Sequence, residues 1–587
     1  MFSFLDTSRI KSLAGPKGYR WALLVAVLVM LPALGLGFFG DDYFFLSSLS
    51  DKPLLDPPLE IFHFASGDPE IMLAHMRYGP FPWFAALEAK VRFFRPLSVA
   101  LMRADHAVFG PFSPAYQAHS ILWHLLLAFA AMLVLRRSLP AALGVLALFL
   151  FILDDSHFLP AAWWSNRNAV IACSLGFLGL AAHLRWRMEG WRPGLPLSLL
   201  GFAGGLLGSE AALGTMAYVL AYEILGAEDA PRKRLLGVLP AALLAVGYLA
   251  FYRMTGHGAA HSEIYLDPAS DPLGYLAAAP ARFFQLAGAQ FFSVPAEAGL
   301  VHPWLAMAAT TLGVLSLSAV LGLLAWFWPA MDPHERRVLR WMGAGAVLAV
   351  LPSLAAIVTV RLLLSASLGG AVVLAVLLRH AWRAALENRS RLARAVVVWI
   401  VGLHLALAAI SWPAQTIGMR LLGRGMNRAI LGNTLEDVDI TKKQVVLVNA
   451  SDPYAGMYGP IVRQCFGLPR PRSWWTLSFA SHDHRLTRTG PNTMELEVLG
   501  GQMLEGVFER LLCNPEKPLR PGDTRDLRGL VITVLSIGDR GPDRIRLDFA
   551  EAPDSGRYLF LTRRGGAFER VTPPALGEAV LLPFILF

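Results

Sequence analysis

Two carboxylates stand side by side at Asp41 and Asp42, directly after the first long apolar run of the chain, Trp21 to Gly40 (GLGFFG, then DDYFF). A carboxylate where an apolar helix re-enters water can take a proton from an incoming hydroxyl or ligate a hard cation. It can also only mark the interface, because charge at a bilayer surface costs little. Residues of similar chemistry recur down the chain. Arg95 and Arg103 lie in RFFRPLSVALMRADHAVFG, and Tyr116 and His124 lie in YQAHSILWH. Asp154, Asp155 and His157 close an apolar run, and Asn166, Arg167 and Asn168 open the next. Glu210 sits between two short apolar segments, Arg253 follows another, and Arg361 stands alone between long ones. Carboxylates and arginines in this mixture suit a site that holds an anionic lipid headgroup and deprotonates an arriving group.

Each of these residues also has a plainer role. Arg95 and Arg253 can snorkel to headgroups, His124 can be a buried hydrogen-bonding histidine, and Asp154 and Asp155 can terminate a helix. Glu210 is harder to explain in that way, because a carboxylate between two short apolar helices needs a partner.

The elements that position these residues are mostly membrane spans. The chain has 587 residues, 55% hydrophobic and only 16% charged, against roughly 25% charged in soluble domains. Its mean hydropathy is +0.48. Eleven apolar runs are expected to span, at about 21–40, 115–135, 140–154, 161–183, 195–209, 211–226, 235–252, 303–329, 341–360, 362–378 and 395–412. Each is near the ~20 residues that cross a bilayer. The first, preceded by Arg9, Lys11, Lys17 and Arg20, reads as a retained helix rather than a cleaved signal. The net charge of +9 does not point to nucleic acid, since Lys and Arg fall in short connections on alternate sides. That alternation predicts an inner-membrane, multi-pass protein with its N-terminus inside and its C-terminal domain extracytoplasmic.

Two long outer loops, 41–114 and 253–302, are expected to carry interfacial helices on the lipid bilayer, DPLGYLAAAPARFFQLAGAQFF among them. Residues 1–412 thus form a transmembrane domain. Beyond Pro413, short β-branched segments (VVLVNA at 445–450, LRGLVITVLSI at 527–537, DRIRLDF at 543–549, RYLFLT at 557–562) alternate with turn signals. They predict a β-rich, sandwich-like domain over 435–587. Cys465 and Cys513 are expected to pair there if the compartment is oxidising, and no CxxC or Cys/His spacing suggests zinc.

The order of motifs is DD, RPL (Arg95–Leu97), Y-x7-H (Tyr116, His124), H-x9-R (His157, Arg167), an acidic turn (Glu210), YR (ending at Arg253) and R-x5-S (Arg361, Ser367). This order resembles integral-membrane glycosyltransferases of the GT-C fold, and within them the branch of tetratricopeptide-bearing transmembrane O-mannosyltransferases and their bacterial relatives. The resemblance covers about residues 20–380. It departs from the family pattern at Ser120, Leu159, Ser209, Val360 and Leu364, and no tetratricopeptide repeat follows.

The resemblance implies Asp41 or Asp42 as catalytic base, with Tyr116, His124, His157, Arg167 and Glu210 as supporting residues. The fitting chemistry is inverting transfer of a sugar from a polyprenyl-phosphate donor to a hydroxyl acceptor, protein, lipid or glycan. A carboxylate takes the hydroxyl proton while Arg95, Arg253 and Arg361 hold the departing lipid phosphate. No cofactor is fixed by the residues; a divalent cation (Mg or Mn) could bridge Asp41/Asp42 with Asp154/Asp155 if those pairs meet, since hard cations take oxygen ligands. The alternative is a non-enzymatic lipid-linked-sugar flippase or polysaccharide transporter, which calls for polar groups inside the spans rather than at their ends.

Overall fold

A computed structural model of the chain describes residues 15–387, 389–432, 435 and 438–585; Arg9 and Lys11 of the basic N-terminal segment lie outside them. Among the described residues, eight helices are long and apolar enough to cross a membrane. They are Lys17–Gly35, Ser113–Ser138, Trp164–Glu189, Pro231–Met254, Pro303–Ala330, Pro333–Ala355, Ser367–Glu387 and Arg391–Leu431. A ninth candidate is bent by 49°, Ala141–Leu153 followed by Asp155–Ala162, and two shorter apolar helices are Gly194–Gly208 and Ala212–Gly226. The eleven apolar runs are therefore all helical, though two are too short to qualify as spans by themselves. The chain is an α-helical polytopic membrane protein with a β-rich C-terminal region.

The last helix runs on to Leu431 rather than ending near 412, and two further span ends that differ from expectation carry expected site residues. The first span stops at Gly35, and Asp41 and Asp42 open a separate helix, Asp41–Ser48. Gly40 sets that break, with φ 55°, a left-handed conformation that glycine adopts without a Cβ penalty. Likewise Arg361 does not join two spans directly but sits in its own 3-10 turn, Val360–Leu363.

The chain divides into two compact units. One holds the residues up to Gly37 together with Phe94–His257 and Asp271–Met419. Its helices pack through small residues, as expected where no hydrophobic drive separates helix from lipid. A Cβ on Gly201 of Gly194–Gly208 would lie 2.7 Å from the Gly179 backbone, so those two helices touch main chain to main chain. The segment expected to lie at the interface is helical here, as Pro272–Phe292. Only the C-terminal half of that helix is buried, at Gln285–Gln290.

The second unit comprises Phe38–Phe93, Gly258–Ser270 and the chain from Arg420 onward. Both long loops, 41–114 and 253–302, contribute to it through one antiparallel sheet of His63–Ser66, Lys90–Arg92 and Gly258–Ala260. A six-stranded antiparallel sheet runs in the order Ala579–Leu582, Asp483–Arg488, Thr493–Leu499, Gly541–Phe549, Leu530–Gly538, Thr524–Asp526. A four-stranded sheet runs Ala567–Arg570, Tyr558–Arg564, Gln444–Asn449, Ser473–Thr476. The two sheets meet through Phe549, whose ring centre lies 5.6 Å from that of Phe560.

This is more than the sandwich expected. The last three strands of the smaller sheet pair in parallel, which requires a crossover. The helix Pro453–Cys465 supplies it. The expected pairing of Cys465 with Cys513 does not occur; both thiols are free, and the Cys465 Sγ points to the Tyr43 carbonyl at 3.5 Å.

Candidate functional site

In the helical unit, polar residues far apart in sequence meet at one end of the bundle. Arg95 occupies the N-cap of the helix Pro96–Phe109, with Pro96 fixing where the helix begins. Its Nε donates to Glu210 Oε2 at 2.9 Å, and Ser209 Oγ donates to the same oxygen at 3.1 Å. Tyr252 donates its phenol proton to Glu210 Oε1 at 2.9 Å. The partner that Glu210 needed is therefore Arg95. Of the Tyr252–Arg253 pair, tyrosine makes the contact and Arg253 is exposed. Tyr252 stood in the sequence as the tyrosine of the YR motif, where the arginine was the residue chosen for the site.

Beside it lies a buried ion pair that the sequence reading missed. Arg167, at the start of Arg167–Glu189, donates to Asp105, and the two side chains are 0% and 2% exposed. His119 Nδ1 lies 2.6 Å from the other Asp105 oxygen, and Trp164 Nε1 donates to Asp105 at 3.2 Å. Arg167 also donates to the Tyr116 carbonyl at 3.2 Å. The signal for Asp105 was its spacing: Ser98, Met102 and Asp105 form the buried face of their helix. Arg103, the residue singled out instead, is exposed.

The third group surrounds the bend after Leu153. Asp154 accepts from the Ser156 N–H and from Gln290 Nε2, both at 3.0 Å, so each of its oxygens braces the bend. Asp155 is half-buried. His157, fully buried, has Nε2 2.7 Å from Ser367 Oγ. The turn Val360–Leu363 packs on Asp155–His157. Glu297, which the sequence reading did not select, accepts from the Val360 N–H at 2.6 Å and so caps the turn that carries Arg361. The Arg361 guanidinium lies 5.9 Å from the centre of the Trp163 ring, and its Nε donates to Thr359 Oγ1 at 3.2 Å. His124 stands apart, buried inside its helix against Trp412; neither ring nitrogen has a hydrogen-bond partner among the described residues.

Asp41 and Asp42 belong to the second unit, and its geometry separates them. Asp42 is 1% exposed and accepts from the Phe39 N–H at 2.9 Å, which closes the first turn of its own helix. Asp41 is half-buried and accepts a hydrogen bond from the phenol of Tyr458. Tyr458 lies on Pro453–Cys465, which packs directly on Asp41–Ser48. Further along the same pair of helices, Ser47 Oγ donates to Gln464 at 2.7 Å. Asn427 links the two as well, donating to the Tyr43 phenol at 2.8 Å and accepting from Tyr454 at 2.6 Å. Burial, with the Asp41 charge beside it, holds the Tyr458 phenol well above its usual range, so it remains a proton donor to the carboxylate.

Among the described residues, no group of three or more His, Cys, Asp or Glu side chains is placed to hold a metal ion. No chemical step is assigned to the cation considered for Asp41/Asp42 and Asp154/Asp155.

No protein-family model matches the chain, and no curated protein sequence matches it. Among solved structures it is similar to ArnT from Cupriavidus metallidurans bound to undecaprenyl phosphate, at 14% identity and a TM-score of 0.38 over 78% of this chain and 86% of that one. It is also similar to the Archaeoglobus fulgidus oligosaccharyltransferase tethered with an acceptor peptide, at 14% identity and a TM-score of 0.40 over 79% of this chain and 64% of that one. AglB from the same organism, in complex with an inhibitory peptide and a dolichol-phosphate, gives 14% identity and 0.37 over 78% and 65%. The chain thus spans just under two-thirds of the two archaeal chains.

Proposed function

We propose that this protein is a membrane glycosyltransferase of the GT-C kind, moving a sugar from a polyprenyl-phosphate donor to a hydroxyl acceptor on the outer face of the membrane. One observation carries the reading. Six of the residues behind the motif resemblance meet pairwise at a single end of the bundle: Arg95 with Glu210, Tyr116 with Arg167, His157 with Ser367. A transporter would be expected to spend such groups near mid-span.

In this reading Asp41 is the general base. It takes the acceptor proton as the new C–O bond forms at the anomeric carbon, and the sugar–phosphate bond breaks with its electron pair going to the lipid phosphate. Arg361 is the residue best suited to hold that phosphate, since its turn is capped by Glu297 while Arg95 is already matched to Glu210. Inversion at the sugar follows from a single displacement. The basic loops lie inside and residues 435–587 outside.

Membranes containing the chain, supplied with radiolabelled polyprenyl-phosphate sugars, should transfer label to a hydroxyl acceptor, and membranes containing Asp41→Asn should not. Movement of intact lipid-linked sugar across the bilayer without any transfer would replace this reading with the flippase. A phosphatase-type reporter fused after Pro413 should be active; activity of a cytoplasm-only reporter there would overturn the outer-face assignment.

A further inference from the structure

We infer that Tyr458 is a positioning residue for Asp41, so that the C-terminal region takes part in the reaction through this one phenol; the inference rests on Asp41 acting as the base. The hydrogen bond joins two segments 417 residues apart in the chain. It is not an incidental surface contact, because the helix that carries Tyr458 is held at its start, along its sheet face and through its tyrosines. Asp452 caps its start through the Ala455 N–H at 2.8 Å. A Cβ on Gly456 would lie 2.2 Å from Phe479 and one on Gly459 2.5 Å from Trp474, so the helix lies flush on its sheet. The Tyr454 and Tyr458 rings stack with centres 5.1 Å apart and planes at 19°, and Tyr454 is itself tied to Asn427. The phenol oxygen of Tyr458 therefore has little room to move.

A fixed donor does two things for a carboxylate base. It selects one rotamer, which sets the direction from which a hydroxyl proton can be taken. It also favours the charged form, which keeps the base deprotonated at lower pH. Titratable groups close to this spot include Asp42 and Tyr43 on the Asp41 helix, and Tyr454 and Cys465 on the Tyr458 helix. The thiol of Cys465 is pushed up to about 12 by burial and stays neutral.

The test compares pH–rate profiles of the full-length protein in sugar transfer. Tyr458→Phe keeps the ring and its stack but removes the donor. It should lower kcat about tenfold or more with the donor KM little changed, and move the acid limb of the profile up by about one pH unit. Tyr454→Phe breaks the neighbouring hydrogen bond but not this one, and should leave the acid limb in place. An unmoved acid limb in Tyr458→Phe, or equal shifts in both variants, would overturn the inference while leaving Asp41 as the base. Asp41→Asn transferring sugar at the parental rate would instead remove the base assignment, and this inference with it.

Discussion

The guanidinium of Arg95 lies 2.9 Å from the carboxylate of Glu210, and this contact decides how both residues should be read. With side chains 16% and 25% exposed, the pair is neither buried outright nor open to water. Ser209 and Tyr252 donate to the same carboxylate, so Glu210 organises three other groups. Arg95 thus begins with its charge compensated, whereas an anchor chosen to snorkel would leave its head in solvent.

Removing this organiser should cost more than removing any one of its donors. Glu210→Gln leaves Arg95 without its counter-charge, and a lost hydrogen bond to a charged group is worth about 1.5–3 kcal/mol. Tyr252→Phe loses its bond to Glu210 but leaves the carboxylate facing Arg95, and should cost less. Thermal unfolding of the purified proteins in detergent checks the order; equal midpoints for both variants would show that the cluster is not built around Glu210.

Asp105 and Arg167 make a sharper case, since water reaches neither side chain. Breaking a buried pair strands the remaining charge, at a cost of about 3–5 kcal/mol, while replacing both partners with apolar residues is often neutral. Arg167→Met should therefore lower abundance and thermal stability strongly, and adding Asp105→Leu should restore part of both, because His119 and Trp164 then lose their acceptor. If the double variant proves no better than the single, Arg167 has a role beyond holding these helices together.

The spans and the kinds of residues at their ends were legible in the sequence, because both rest on local composition. The lengths of the apolar runs gave the helices, and Glu210 declared its need for a partner. What was not legible depended on contacts between distant segments. The helix Pro453–Cys465 contains two prolines and two glycines, which locally signal turns, yet those glycines are what let it lie against Trp474 and Phe479. Asp42 and Asp41 are chemically identical in sequence; only folding makes one a buried turn-closer and the other the partner of a tyrosine. Glu297 stands in an unremarkable AEAGL stretch, and its meaning appears only when Val360 reaches it.

The second unit should carry its own pH dependence. Glu509 is 4% exposed, and burial raises its carboxyl from 4.5 to about 7. A raised carboxyl binds its proton more tightly in the folded chain, so this contribution to stability is complete below about 4.5 and is lost as pH rises through about 7. The span of that loss is roughly 3 kcal/mol. Glu509→Gln should flatten the fall in thermal midpoint that the parent shows between pH 5 and pH 8. A variant with the same slope as the parent would mean the carboxyl is ionised in the fold.

Arg361 tests the donor side of the reaction. Replacement by lysine keeps a positive charge near Trp163 but loses the planar fork that grips a phosphate with two hydrogen bonds. Arg361→Lys should insert normally, retain its thermal midpoint, and show a raised KM for the polyprenyl-phosphate sugar. Parental kinetics would reduce Arg361 to an anchor packed on an aromatic ring.

The two aspartates that open their short helix should separate cleanly into one effect on rate and one on stability. Asp41→Asn keeps size and hydrogen bonding but cannot accept a proton, and general-base catalysis is worth about 10²–10⁴-fold, so turnover should fall by that order with donor binding largely intact. Asp42→Ala instead removes the acceptor for the Phe39 N–H and should cost about 1 kcal/mol of stability, as losing a helix cap does. Initial rates at saturating donor, with thermal midpoints measured on the same preparations, distinguish the two. If Asp42→Asn, which still offers an amide oxygen to Phe39, loses turnover while Asp41→Asn does not, the base is the buried aspartate and the assignment drawn from burial is reversed. If neither loses turnover, proton acceptance passes to Asp155, the half-buried carboxylate beside the turn that carries Arg361.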